Sequence, residues 1–226
     1  MSIAENIEKV KANLPDNVRL VAVSKTMPAG FIMEAYNCGQ RAFGENKVQE
    51  MGWKYEELPK DIEWHFIGHL QTNKIKYIAS FVHLIHGVDS FKLLKSIDSE
   101  AKKAGRIIPS LLQFHIAEEE TKFGLSMQEA VEMLNSEEYR LLRNIQISGV
   151  MGLATYTDDE TQVRKEFVSL RNYFEKLKLD FFTDDLNFRE ISMGMSGDYL
   201  IAISEGSTMV RIGSTIFGER NYSSEL

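Results

Sequence analysis

The stretch Arg19-Leu20-Val21-Ala22-Val23-Ser24-Lys25-Thr26 decides the fold. Its apolar run Val21–Val23 predicts a strand over Arg19–Ser24, and the chain then enters a loop at Lys25-Thr26-Met27-Pro28. An open doubly wound sheet would usually carry a glycine-rich phosphate turn directly after its first strand. No such turn is present, so the stretch favours a closed (β/α)8 barrel over the open sheet.

The rest of the chain alternates between strand-like and helical patterns. Further strands are predicted at Arg41–Gly44, Trp64–Gly68, Leu84–Val88, Ser110–Ile116, Ile145–Leu153, Glu190–Met193 and Met209–Ile212. The helices between them are predicted at Ala29–Cys38, Lys47–Glu57, Thr72–Phe81, Phe91–Ala104, Met127–Asn135, Asp159–Leu177 and Asp198–Ser204. This alternation predicts a parallel sheet wrapped by helices, and about eight such units close a barrel.

An extra helix is expected before the barrel, because Ile3, Ile7, Val10 and Leu14 share one helical stripe that Pro15 ends. No segment has the composition of a linker. We therefore expect an α/β fold consisting of a single (β/α)8 TIM barrel with an extra N-terminal helix, in one domain spanning residues 1–226.

Composition excludes several classes of function. The 226-residue chain has a formal net charge of −7, which argues against binding to nucleic acid or an anionic membrane surface. Its single cysteine, Cys38, cannot form an intrachain disulfide, which fits a reducing compartment. Neither a signal peptide nor a stretch of roughly 20 apolar residues occurs, so a cytoplasmic protein is expected.

Lys25 is the first candidate functional residue. It is predicted at the carboxyl end of a buried strand, where partial removal from water would lower the pKa of its amine and make it a nucleophile. Taken alone, a lysine at this position is more often a solvated surface residue. The small-residue turns near the end of the chain are the features that support a functional role for Lys25.

Two such turns follow the last two predicted strands. Ser196-Gly197 precedes a predicted helix, and Gly213-Ser214 follows the final strand. Backbone N–H groups and a serine hydroxyl at such turns bind phosphate, and barrels often hold phosphate at this place. Ordinary helix caps are the alternative for each turn. An amine facing a phosphate site suggests a phosphorylated aldehyde, and pyridoxal 5′-phosphate (PLP) fits that description.

Three more residues are candidate contacts of this ligand. Arg211 is predicted on the last strand, either in a structural ion pair or facing the pyridine nitrogen, which it would keep unprotonated. Asn46 begins the second βα loop and either caps a helix or bonds the ring hydroxyl. Met151 is expected in the core with a possible contact to the ligand.

No metal site is predicted. His65 and His69 flank the end of the third predicted strand, but no third ligand stands at a recognisable spacing from them. His83, His86 and His115 are interpreted as hydrogen-bonded core or rim histidines.

Four blocks of residues form a highly specific combination that covers nearly the whole chain in order. They are Val21–Lys25, Gly44-Glu45-Asn46 with Gln49-Glu50, Trp64–Lys74, and Ser192–Asp198 joined to Gly206–Gly218. On these blocks the chain resembles the pyridoxal phosphate homeostasis proteins (the YggS/PROSC family), which look like the barrel domain of bacterial alanine racemases standing alone.

The resemblance implies an alanine racemase N-terminal-domain-like barrel with PLP held as a Schiff base on Lys25. It further implies phosphate contacts from Ser196, Gly197, Gly213 and Ser214, with Arg211 facing the pyridine nitrogen. The family has no established turnover, so a non-catalytic, monomeric PLP-binding protein of intracellular PLP homeostasis is expected.

A PLP-dependent amino-acid racemase is the alternative function. Racemisation needs a base on each face of the substrate, and alanine racemases take the second base from a separate β domain of the partner subunit. We expect no such domain here, and Tyr156 is the one nearby tyrosine that the sequence offers as a substitute for that base. An open barrel mouth would suit loading and release of the cofactor, and apo PLP-dependent enzymes are possible docking partners.

Overall fold

Eight parallel strands form a closed barrel in the computed structural model, which describes residues 2–118 and 123–218. Neighbouring strands are consecutive in the chain, and β8 pairs with β1 to close the sheet. The strands are β1 Arg19–Val23, β2 Ala42–Glu45, β3 Glu63–Phe66, β4 Leu84–Val88, β5 Ile108–Phe114, β6 Ile145–Gly152, β7 Glu190–Ser192 and β8 Met209–Ile212. The predicted barrel is confirmed.

Helices alternate with these strands and cover the outside of the barrel. The described residues contain α1 Ile3–Ala12, α2 Ala29–Asn37, α3 Val48–Glu57, α4 Phe91–Lys103, α5 Met127–Asn135, α6 Glu137–Arg140, α7 Glu160–Phe181, α8 Tyr199–Ser204 and α9 Ser214–Phe217. The segment predicted as a helix over Thr72–Phe81 is instead a shorter 3-10 helix, Thr72–Tyr77. The short helices α6 and α9 were not predicted, because four residues are too few to show a helical repeat.

The N-terminal helix α1 has the predicted apolar stripe. Ile3, Ile7 and Val10 are buried, and Ser2 and Glu5 form a capping box at its start. Asn6 Nδ2 donates to the carbonyl of Ile216 in α9 at 2.9 Å. This bond attaches α1 to α9, the last helix that the structure describes.

Two apolar clusters fill the molecule. The larger one lies between the sheet and the helices and contains Trp64 and Phe43. The smaller one takes one residue from each of six strands, as expected for the filled interior of a barrel: Val21, Ala42, Leu84, Leu111, Met151 and Met209. Within the described ranges, no helix combines the length and apolarity that crossing a membrane requires.

Candidate functional site

Lys25 lies half-buried at the carboxyl end of β1, in a loop with a strained backbone. The next residue, Thr26, has φ 67°, a left-handed conformation that is rare for a β-branched side chain. Two contacts hold it there. Its N–H donates to Glu50 Oε1 at 2.5 Å, and its hydroxyl donates to the Lys25 carbonyl at 2.6 Å. The direction of the chain at Lys25 is therefore fixed by the fold.

A buried ion network lies beneath this loop. Lys54 Nζ donates to Glu45 Oε1 at 2.8 Å, to Glu50 Oε1 at 2.7 Å and to the Ser24 carbonyl at 2.8 Å. The Ser24 hydroxyl also donates to Glu45 Oε1, at 2.6 Å. Burial raises the pKa of Glu45 to about 7, even though the positive charge of Lys54 favours the ionised carboxylate. Lys54 thus connects helix α3 and strand β2 to the residue that precedes Lys25.

Asn46 begins the loop after β2, as predicted. Its side-chain oxygen Oδ1 is buried and makes no hydrogen bond to any residue in the described part of the chain. The loop after β3 passes close by, because a Cβ on Gly68 would lie 2.6 Å from the Asn46 carbonyl oxygen. A buried acceptor of this kind is suited to a donor supplied by a ligand.

The two small-residue turns come together beside Lys25. Strand β8 pairs with β1 in a register that places Ala22 opposite Ile212, so Gly213-Ser214 emerges next to Val23-Ser24, directly before Lys25. The Gly213 N–H donates to Ser196 Oγ at 3.3 Å, which joins the loops after β7 and β8. Gly197 is exposed, and a Cβ there would meet nothing within 4 Å.

Arg211 is buried in the barrel interior and takes part in a chain of polar side chains. Its Nη1 donates to Ser192 Oγ at 2.5 Å and its Nη2 to the Gly152 carbonyl at 3.0 Å. Burial lowers its pKa to about 10, so it stays positively charged at neutral pH. The hydrogen bonds described for its guanidinium go to Ser192 and Gly152, and the negative charge of Asp198 favours its protonated form.

Two histidines continue this series of hydrogen-bonded side chains toward the opposite end of the barrel. His86 Nδ1 lies 2.9 Å from Ser192 Oγ, and His65 Nδ1 lies 2.9 Å from His86 Nε2. His65 therefore lies inside the barrel, whereas His69 is half-exposed at the mouth and contacts Asp89 Oδ2 at 2.9 Å. The two histidines considered together in the sequence do not form a pair.

Met151 lies on β6, where it is 1% exposed and belongs to the small interior cluster. Its Cα pairs with that of Ser192, the serine that Arg211 contacts. No local pattern relates Ser192 to His86, because the two are separated by 106 residues, so the polar chain was not predicted from the sequence.

We expect stability to fall as the pH is lowered below about 6.5. Burial holds the pKa values of His65 and His86 well below the ordinary value of 6.5, so the unfolded chain binds protons that the folded chain rejects. Each histidine contributes up to about 1.4 kcal/mol per pH unit. Glu45 acts in the opposite direction between its ordinary value of 4.5 and about 7, since there the folded state keeps a proton that the unfolded state releases.

Urea unfolding at pH 7.5, 6.0 and 5.0 measures this balance. The two histidines outweigh Glu45, so the net slope has the sign of the histidines. Glu45→Gln should make the loss toward acid steeper, because it removes the opposing contribution. A free energy of unfolding that stays constant or rises from pH 7.5 to 5.0 would contradict this assignment.

Comparison with known proteins identifies relatives of this chain. Residues 1–221 match the family model for the alanine racemase N-terminal domain. The chain is 40% identical over 225 residues to the pyridoxal phosphate homeostasis protein of Aquifex aeolicus (strain VF5), covering 97% of this chain and 96% of that protein. The chain belongs to the pyridoxal phosphate homeostasis protein family. The family that the four sequence blocks predicted is confirmed.

Solved structures agree with this assignment. PipY of Synechococcus elongatus PCC7942, a structure without PLP, superposes with a TM-score of 0.89 at 36% identity and covers 96% of this chain and 100% of that one. The same protein with PLP bound gives a TM-score of 0.86 at 35% identity, with the same coverage. Alanine racemase of Clostridium difficile 630 shares the fold alone, with a TM-score of 0.70 at 14% identity over 98% of this chain and 57% of the racemase chain.

Proposed function

We propose that this chain is a non-catalytic PLP-binding protein of PLP homeostasis that holds the cofactor as a Schiff base on Lys25. The observation that carries the proposal is the position of Lys25 beside the turns after β7 and β8, with Arg211 on the last of these strands. PipY, at 35% identity over 96% of the chain, has been solved with PLP bound, which supports the choice of cofactor.

The residues fit PLP in charge, shape and hydrogen-bonding capacity. Asn46 Oδ1 is a buried acceptor that lacks a partner within the described residues and suits a hydroxyl of the ring. The exposed Gly197 and the joined Ser196–Gly213 turn leave room for a phosphate beside the backbone. The first N–H groups of a helix have no acceptor within it, so Ser214 at the start of α9 presents a backbone donor to this anion.

Arg211 would control the ring rather than the phosphate. It keeps its charge at neutral pH, and Ser192 and Gly152 fix its guanidinium in one orientation. An arginine facing the pyridine nitrogen donates a hydrogen bond and keeps that nitrogen unprotonated. When bound, PLP supplies an aldehyde for the lysine amine and a ring that withdraws electrons, and an unprotonated ring withdraws them weakly. This property suits storage of the cofactor better than carbanion chemistry.

The test compares Lys25→Ala with the wild type and with Lys47→Ala, in which an exposed lysine near the same mouth is removed. Added PLP should give a visible absorption band in the wild type and in Lys47→Ala. Lys25→Ala should lose the band. Borohydride reduction followed by peptide mass mapping should place the adduct on the peptide that contains Lys25.

Two results would contradict the proposal. A wild-type protein without band or adduct does not use PLP in this way. An adduct that persists in Lys25→Ala and maps to other lysines is surface labelling. Circular dichroism on all three proteins establishes that loss of the band is not loss of the fold.

The racemase alternative is less well supported. Its second base would have to be Tyr156, which is 96% exposed and lies on the loop after β6. A base so open to water is poorly placed to receive a proton selectively. Incubating the PLP-loaded protein with single enantiomers of amino acids tests this alternative. Turnover that Lys25→Ala abolishes and Tyr156→Phe reduces would replace the non-catalytic proposal with a racemase.

A further inference from the structure

Glu63, His65 and His83 come together at the amino end of the barrel, opposite the end that carries Lys25. One potential ligand atom from each of the three lies within 4.8 Å of the other two. Glu63 and His65 share a face of β3, because they are two residues apart in a strand. His83 directly precedes β4, and its ring centroid lies 5.3 Å from that of His65.

His65 gives independent evidence that something binds in this cluster. Its side chain is 0% exposed, and its Nε2 has no hydrogen-bond partner in the part of the chain that the structure describes. Its other ring nitrogen, Nδ1, already contacts His86. A buried nitrogen left without a partner is costly, and such groups are rare in folded proteins.

We propose that Glu63, His65 and His83 bind a divalent transition metal ion, best matched by Zn²⁺. Two imidazoles and one carboxylate are a donor set that zinc uses, with a fourth position left for water. Ligand atoms of a tetrahedral zinc site lie roughly 3.3 Å apart, so a separation of 4.8 Å closes with side-chain adjustments of about 1.5 Å or less. The sequence analysis considered His65 together with His69, whereas the barrel brings Glu63 and His83 to His65.

The surroundings orient these ligands as they do in known metal sites, where a ligand histidine donates its other N–H to an acceptor. In the tautomer that leaves the Nε2 lone pair for the metal, His65 Nδ1–H donates to His86 Nε2. His86 Nδ1–H then donates to Ser192 Oγ. Arg19 contacts Glu63 Oε2 and holds that carboxylate, although its positive charge also opposes a cation.

His83 and Glu63 are both partly exposed to solvent. His83 and Arg19 line a cavity of about 130 Å³ at the amino end of the barrel, together with Glu190. The Glu63 side chain is 33% exposed, so the cluster can be reached from solvent. The site is independent of Lys25, and it does not rest on the proposed binding of PLP.

The competing explanation is that His65 carries its proton on Nε2 and donates it to a water molecule. Metal titration separates the two. Chelator-treated, PLP-free protein is titrated with Zn²⁺ by calorimetry, and with Co²⁺ by absorption, since cobalt reports nitrogen ligands and tetrahedral geometry through its visible bands. We expect one ion per chain and a cobalt spectrum of tetrahedral type.

The variants are Glu63→Gln and His83→Gln, which alter the two more exposed ligands and leave the buried His65 in place. Each should weaken zinc binding at least about tenfold, the lower end of the loss seen when only an outer partner of a ligand is removed. His69→Gln is the matched control, because it removes a half-exposed histidine at the opposite end of the barrel. It should bind zinc as the wild type does.

Three outcomes would overturn the proposal. They are a wild type that binds no zinc, unchanged zinc affinity in His83→Gln and Glu63→Gln, and loss of zinc binding in His69→Gln. Circular dichroism and thermal unfolding of each variant exclude global unfolding as the cause of a loss. Added zinc should raise the melting temperature of the wild type and of His69→Gln more than that of His83→Gln.

Discussion

Lys54→Met is expected to destabilise the protein by about 3–5 kcal/mol, the usual cost of removing one partner from a buried ion pair. Lys54 is 7% exposed and Glu45 is 0% exposed, so water cannot replace the lost partner. Methionine matches the length of lysine, which limits the loss of packing. The cost comes from the carboxylate of Glu45 and the carbonyl of Ser24, both of which lose a donor.

The same change should affect the candidate site. Glu50 receives hydrogen bonds from both Lys54 and the Thr26 N–H, so it links the ion network to the strained residue after Lys25. Without Lys54, Glu50 loses the contact that positions it, and the left-handed conformation of Thr26 loses support. We expect PLP binding to weaken in Lys54→Met even where the protein remains folded.

A double-mutant cycle measures the interaction. Urea unfolding is compared for the wild type, Lys54→Met, Glu45→Gln and the double variant, with exposed Lys47→Met as the control. The double variant should be more stable than Lys54→Met, because glutamine removes the buried charge that Lys54 neutralised. Lys54→Met should also lose more stability at pH 8 than at pH 6, since Glu45 takes up a proton near pH 7 and then needs no cation.

Additive effects of the two substitutions would contradict this account. So would a penalty for Lys54→Met that is the same at pH 6 and pH 8. Either result would mean that Lys54 acts through packing of its aliphatic stem, with little contribution from its charge.

The sequence was sufficient for features that depend on neighbours along the chain. The apolar run before Ser24 predicted both β1 and the place where Lys25 leaves it. Small residues after Ser192 and Ile212 predicted the turns at Ser196 and Gly213, because such turns have a local signature. The order of the strands followed from alternation with helices, which allows few other topologies.

Features made by closure of the barrel could not be predicted. A series of side-chain contacts runs from Arg211 through Ser192 and His86 to His65. It joins strands β8, β7, β4 and β3, and no local sequence pattern relates its residues. Lys54 and Glu45 are nine residues apart, on a helix and a strand, so their contact depends on how α3 packs on the sheet. The candidate site residues come from the motifs, whereas the residues that contact and orient them are seen only in the tertiary structure.

Gly149→Ala is expected to destabilise the protein by about 2–6 kcal/mol, with almost no change in apolar surface. Gly149 has φ 148°, and a Cβ there would lie 1.9 Å from the Glu190 carbonyl oxygen and 2.7 Å from the carbonyl carbon. Both neighbours are backbone atoms, so neither can rotate away. A strained backbone costs about 1–3 kcal/mol and overpacking a further 1–3 kcal/mol, and the two add here.

The pairing of β6 with its two neighbouring strands explains why a glycine is required at position 149. The register of β5 against β6 shifts between Ser110 and Leu111, so β6 contains one extra residue just before Gly149. A bulge of this kind bends a strand, and Gly149 is then pressed against Glu190 of the following strand, β7. An added methyl group would push β7 away and, with it, Ser192, on which both Arg211 and His86 depend.

Gly52→Ala is the matched control, because Gly52 lies in helix α3 and a Cβ there would meet nothing within 4 Å. It should stabilise the protein by about 0.5–1 kcal/mol, the advantage of alanine over glycine inside a helix. Urea unfolding and PLP binding are measured on both variants. If Gly149→Ala is as stable as the wild type, β6 and β7 do not approach as closely as the structure has them. If it is destabilised yet binds PLP normally, β7 does not position Arg211 through Ser192.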